Sequence, residues 1–244
     1  MASDAEIRQA RVDLAAAFRL AARFGLNEGI CNHFSLRVPG SEDHFLINAY
    51  GLHWSEITAS NLMVVDDAGN KIDGEGEVEL TAITLHTGIH KVHPGATCVL
   101  HTHMPYATAI ACLEEGRLEP LSLSGLRFWH SVGYDDDFAG AATKQSEGER
   151  TAAKLGNKSI LFMANHGVMV TGPTVARAFD DLYYLERACQ VQVLAMSTGR
   201  PLRIVPETIA NDSRRQLDML EMLANNHFSA LKRILDREAP DYVS

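Results

Sequence analysis

The sequence predicts an α/β protein, and three observations carry that expectation. Apolar residues recur at helical spacing in long stretches, above all over residues 174–198, where Phe179, Leu182, Leu185, Cys189, Val193 and Met196 share one face. Short apolar or alternating runs bounded by turn residues mark strands elsewhere along the chain. The length, 244 residues, exceeds the usual single-domain size but suits one large α/β domain with a sizeable core. A single domain over residues 1–244 is therefore expected, with 205–244 as a helical C-terminal extension.

In chain order, residues 4–24 form an amphipathic pattern with Ile7, Leu14, Phe18 and Ala21 inward and Gly25 at the position of a left-handed cap. Phe34, Leu36 and Val38 alternate with Ser35 and Arg37 in a half-buried strand within 29–39, with Asn32 and His33 at its mouth. Further strands are expected at 45–48 and 62–65, the latter followed by the turn residues Asp66-Asp67-Ala68-Gly69-Asn70. Leu85, Ile89 and Val92 fit a helix over 81–92, stopped by His93-Pro94-Gly95. A short strand at 96–100 leads into a helix over 106–113 with Pro105 in its first turn. Residues 117–140 read as irregular, 145–155 as a polar helix and 159–163 as a strand. The run 207–239 is helical and charged.

Charge and composition narrow the function. A 46% hydrophobic, 22% charged chain is an ordinary soluble one, and a formal net charge of −9 gives it no attraction for nucleic acid or anionic membranes. Residues 1–11 lack the apolar core of a signal peptide, and no run approaches the roughly 20 apolar residues of a membrane span. The four cysteines, Cys31, Cys98, Cys112 and Cys189, form no CxxC pair and read as buried free thiols in a reducing compartment. A cytoplasmic enzyme acting on a small molecule is the expectation.

His101 and His103 carry the strongest chemical signal. They lie one residue apart at the end of an apolar strand, where alternate side chains share a face, and strand carboxyl ends are where open α/β sheets bind ligands. Asn165-His166-Gly167 at the end of another strand supplies a candidate third ligand. Three neutral imidazoles with one open position are the pattern of a catalytic zinc site. His86 and His90 are also at a metal-binding spacing, but Thr87 stands where an HExxH motif needs glutamate, and both read as structural. An HxH pair also occurs in amidohydrolase barrels, for which this chain is too short, and in cupins, which its long helices exclude. A mixed α/β lyase-like site remains.

The segments Gly25-Leu26-Asn27, 32–39, 86–94, 101–109 and Asn165-His166-Gly167, in this order and spacing over about residues 10–200, resemble the class II aldolase/adducin family. The resemblance implies an α/β/α sandwich around a mostly antiparallel central sheet, a cyclic homotetramer with sites at subunit interfaces, and a divalent metal on His101, His103 and His166, zinc first and manganese as the alternative. Sugar-phosphate aldolases of the family carry Pro-Ser-Ser-Glu, whose glutamate ligates metal and carries a proton. Glu79-Leu80-Thr81-Ala82 stands there in this chain, so Ala82 replaces that glutamate, as in the adducin-like branch. His33 replaces a phosphate-binding asparagine, which argues against a phosphorylated substrate.

Without that carboxylate the expected activity is carbon–carbon cleavage next to a carbonyl or hydroxyl, by aldol or decarboxylase chemistry. Decarboxylation generates its carbanion as carbon dioxide leaves and needs only a protonating acid. A retro-aldol step requires a base, for which Glu79, Tyr106, Tyr134 and hydroxide on the metal are the candidates. His33, Arg37 and His130 are candidate substrate contacts, the first two for an anion. The alternative is a non-catalytic scaffold like the adducin head domain.

Overall fold

The computed structural model describes residues 2–93, 95–138, 140, 144–216 and 220–244. Helix α1 (Asp4–Arg23) starts at Ser3, whose hydroxyl and backbone N–H form a reciprocal capping box with Glu6, and it buries Leu14, Phe18 and Ala21. The strands that follow are β1 (His33–Arg37), β2 (His44–Ile47), β3 (Met63–Asp66) and β4 (Lys71–Asp73). Helix α2 (Leu80–Val92), β5 (Cys98–Thr102) and α3 (Pro105–Ala111) complete the first half. The second half contains α4 (Leu123–Leu126), β6 (Val132–Asp135), α5 (Gln145–Leu155), β7 (Ile160–Met163), β8 (Gly167–Gly172), α6 (Val175–Met196), α7 (Glu207–Arg215) and α8 (Leu220–Glu238).

Among the described residues, eight strands form one sheet in the order β4-β3-β2-β1-β5-β8-β7-β6. Each neighbouring pair is antiparallel except β6 with β7. Strand alternation divides the apolar residues between two cores. Cys98 and Leu100 of β5 join Phe34, Leu36, Val168 and Val170 beneath α1, α3 and α6. Val99 faces the other way, with Leu161 and Met169, onto Leu85 and Ile89 of α2 and Ala152 and Leu155 of α5. The result is the expected α/β/α sandwich. Helices α2 and α5 meet backbone to backbone: a Cβ on Gly148 would stand 2.1 Å from the Thr84 carbonyl oxygen, so glycine is required there.

The C-terminal extension docks on its own chain. Phe228, Leu235 and Tyr242 enter the larger core. The Ala59 N–H donates to the Tyr242 carbonyl (2.9 Å), and Arg19 pairs with Asp241 at 2.6 Å. Residues 217–219 of the predicted 207–239 helical run, and Pro94 of the predicted stop after α2, lie outside the described residues.

Three expectations are corrected. The stretch 117–140 contains α4 and β6, and β4 and β8 also lie outside the expected strands; β4 and β6 are short sheet edges with little apolar alternation, whereas β8 is buried along its whole length between two glycines and so shows no alternation either. The cysteines divide: Cys98 and Cys189 are buried, Cys31 and Cys112 exposed. Cys31 falls in the loop before β1 and Cys112 caps α3, so neither lies on an inward strand or helix face. Among the described residues, no helix is long and apolar enough to cross a membrane.

Candidate metal centre

Three backbone devices bring His101, His103 and His166 together. His101 follows Val99 on the α2 face of β5, paired in register with Met169 of β8, and is 1% exposed. His103 stands just beyond the strand end, where its backbone N–H donates to the Asn32 side-chain oxygen (3.2 Å). His166 sits in the tight β7–β8 connection, which Asn165 turns with a left-handed φ of 53° and the His166 N–H closes onto the Met163 carbonyl (3.1 Å). Gly167 permits the close approach. A Cβ there would lie 2.5 Å from the Thr102 carbonyl oxygen and 2.8 Å from the His103 ring.

The three ring centroids are 4.8–5.0 Å apart, and one donor atom from each residue lies within 4.8 Å of the others. Hydrogen bonds assign the nitrogens. Nδ1 of His101 is 3.0 Å from the Val168 carbonyl oxygen, which can only accept, so Nδ1 carries the hydrogen and Nε2 the lone pair. Nδ1 of His103 likewise donates to Glu28 Oε2 at 2.5 Å. Its Nε2 is buried and, among the described residues, has no hydrogen-bond partner. Burial, reinforced by the neighbouring histidines, holds His101 well below the usual imidazole range, and burial lowers His166 to about 4. Converging imidazole nitrogens, with outer acceptors orienting the rings of His101 and His103 through Nδ1, are what a divalent ion such as zinc requires, so these residues fit one.

The chain belongs to the class II aldolase/adducin family. The profile of the family described as "Class II Aldolase and Adducin N-terminal domain" matches residues 12–193. A Caulobacter vibrioides protein named "Putative aldolase class 2 protein" is 40% identical over 238 residues, covering 96% of this chain and 92% of its own. The crystal structure of an aldolase II superfamily protein from Pseudomonas syringae superimposes with a TM-score of 0.92 at 36% identity, over 100% of this chain and 98% of that one. Alpha-adducin from Rattus norvegicus is 36% identical over 201 residues, which are 80% of this chain and 27% of that protein.

Within this family fold the other candidate residues divide. His33 is brought to the centre: β1 pairs with β5 so that His33 lies opposite His101, with ring centroids 4.9 Å apart. The same register sends Arg37 to the other end of β1, roughly 13 Å along the strand. There it donates to the His90 carbonyl (2.8 Å) and to the Glu42 carbonyl, and its guanidinium lies over Phe45. Arg37 therefore serves as a structural tie and not as an anion contact at the centre.

Glu79 is the residue before α2 and accepts from the Thr81 hydroxyl (2.7 Å), while Ala82 is buried in an apolar cluster with Phe45, Ile47 and Met63. Tyr106 packs against the larger core, with its backbone N–H on Glu186 (2.9 Å). Tyr134 is on β6, the sheet edge three strands from β5, where its hydroxyl accepts from the Leu118 N–H (3.0 Å) and burial pushes the phenol up. His130 precedes β6, which runs parallel to β7, so it lies at the opposite strand end from His166; its Nε2 bonds Asn211 (3.0 Å). None of these four is bonded to the three histidines within one chain, among the described residues.

Sequence reading missed Glu28, the acceptor on His103, and the placement of Asn32, which takes a left-handed φ of 77° to present its side chain. The glycines flanking Glu28 signalled a loop but not its destination.

Proposed function

We propose that the chain is a divalent-metal-dependent lyase that cleaves a carbon–carbon bond next to a carbonyl or hydroxyl of a small, unphosphorylated substrate. The observation that carries this reading is the convergence of three imidazoles, of which His101 and His103 are each held by an acceptor behind the ring, with the buried Nε2 of His103 left without a hydrogen-bond partner among the described residues. A zinc ion, or manganese in its place, supplies Lewis-acid stabilisation of the charge that develops on the oxygen beside the broken bond. His101, His103 and His166 hold it. The Val168 carbonyl and Glu28 fix the ring orientations, so substrate meets a preorganised centre.

Ala82 favours decarboxylation over retro-aldol cleavage, because a methyl group in an apolar cluster neither removes nor returns a proton. His33 in place of a phosphate-binding asparagine favours a substrate without phosphate. The reading extends to a cytoplasmic homotetramer, in which proton donors from a second subunit can complete the centre. Alpha-adducin similarity and the absent glutamate support a second reading, a non-catalytic scaffold.

Metal analysis separates the two. The lyase is expected to purify with about one zinc or manganese per chain, and chelator should lower its melting temperature. A metal-free protein indifferent to chelator would favour the scaffold. Screening 2-oxo acids, hydroxy acids and sugar acids for carbon dioxide or aldehyde release then divides decarboxylase from aldolase.

A further inference from the structure

A line of hydrogen bonds runs behind the metal centre, and its direction is fixed from its far end. His90 Nδ1 lies 2.8 Å from the carbonyl oxygen of Ala96. That oxygen can only accept, so Nδ1 carries the hydrogen and Nε2 of the neutral ring carries the lone pair. Burial keeps His90 neutral, lowered to about 3. Ser35 Oγ, 2.8 Å from that Nε2, therefore gives its single hydrogen to His90. The serine oxygen is left to accept from Nδ1 of His86. Nε2 of His86 must then accept, and its partner at 2.7 Å is Nδ1 of His33. All the side chains in the line are buried.

At the near end the sequence of donors runs out. His33 Nδ1 carries a hydrogen for His86, so Nε2 is left with its lone pair on a ring tilted by 33° to that of His101, the centroids 4.9 Å apart. We propose that the line His90–Ser35–His86 locks His33 as a hydrogen-bond acceptor beside the metal centre, making it a specificity-determining residue that takes a hydroxyl group of the substrate and rejects an anion. The substrate class is thereby a hydroxylated compound whose group at this position is uncharged. An asparagine could turn either end of its amide to a ligand. His33 cannot, because flipping the ring would exchange its bond to His86 for a carbon–hydrogen contact. A lone pair facing a phosphate or carboxylate oxygen is repulsive, so the anion-binding role expected of His33 from sequence is replaced by its opposite. Ser35 and His86 act through His33 and are positioning residues.

The substrate part of this proposal rests on the lyase reading; the tautomer part does not. Long-range proton–nitrogen NMR correlation on the full chain with labelled histidine, without metal, should show His33, His86 and His90 as Nδ1–H tautomers, the reverse of free histidine in water. An Nε2–H tautomer at His33 overturns the proposal. Calorimetry on zinc-loaded protein then compares glycolohydroxamate with acetohydroxamate, which differ by one hydroxyl. About tenfold tighter binding of the hydroxylated probe is expected, from one added hydrogen bond. His33→Phe should bring the ratio of the two affinities below twofold, and Ser35→Ala should reduce the ratio while freeing the His33 tautomer. Equal affinities in the unaltered protein overturn the hydroxyl assignment. A protein that takes up no zinc instead sinks the lyase reading, and the NMR result alone then decides whether His33 is an acceptor.

Discussion

Two sets of three histidines, His101/His103/His166 and His33/His86/His90, are built from the same side chain and differ in where their hydrogen bonds end. In the first set, Nδ1 of His101 and of His103 faces an oxygen that lies outside the set, the Val168 carbonyl and the Glu28 carboxylate. Their Nε2 lone pairs are thereby unspent and turned toward a common centre. In the second set each lone pair but one is consumed by the next donor, through Ser35, until the line ends on the Ala96 carbonyl. Burial alone therefore does not make a buried histidine a ligand. What distinguishes the sets is whether the acceptor lies behind the ring or in front of it.

The largest expected effect of breaking this contrast comes from His101→Ala. It removes one of the three proposed ligands, and metal measured by elemental analysis should fall to near zero, with activity on any substrate found in the screen reduced by more than about 100-fold, beyond the range for losing an outer partner. Retention of both metal and activity would falsify the assignment. Gly167→Ala comes next. Its Cβ clashes with both the Thr102 carbonyl oxygen and the His103 ring, so the strands and the ring must shift to admit it. Overpacking of this kind costs about 1–3 kcal/mol, read as a lower denaturation midpoint, and it should weaken metal binding as well. Unchanged stability and affinity would show that β8 and His103 can separate freely.

A smaller effect is expected from Glu28→Ala, which leaves His103 Nδ1 to water. Metal affinity by competition with a chelator should fall about tenfold, at the low end for a lost outer partner because the Glu28 side chain is 64% exposed. No change would demote Glu28 to a loop tether. The second set is tested by pH. Burial holds His86 and His90 below the ordinary range, His90 at about 3, so the unfolded chain binds protons that the folded one refuses. The stability is complete above the unfolded value near 6.5 and is lost as pH falls from there towards the folded values. Each such histidine contributes about 1.4 kcal/mol per pH unit in that window. In metal-free protein between pH 6.5 and 5, His90→Gln should flatten the slope of unfolding free energy by about that amount; an unaltered slope would mean that His90 is not held neutral.

Much of the fold was legible because its long elements follow a single period. Predicted helices at 4–24, 81–92, 145–155 and 174–198 correspond to α1, α2, α5 and α6, and five predicted strands fall on β1, β2, β3, β5 and β7. Strand β6 escaped because a four-residue edge strand, Val132–Asp135, buries only its last residue deeply and so shows no alternation. The candidate ligands were legible for a local reason too. An HxH pair at a strand end and a histidine before glycine at another declare themselves within a few residues.

The sequence by itself determined the layer architecture, the presence of three ligand-type histidines and the loss of the family glutamate at Ala82, since each depends on residue type and on short-range spacing. Only the tertiary structure decided which polar residues serve the centre. Antiparallel pairing of β1 with β5 sets His33 against His101 and carries Arg37 away, although both lie on the same face of one strand. Glu28 reaches His103 across 75 positions of sequence, and Ser35 joins His86 to His90 across more than 50. Register and chain return are properties of the whole sheet, and a histidine's tautomer follows from the partner that register supplies.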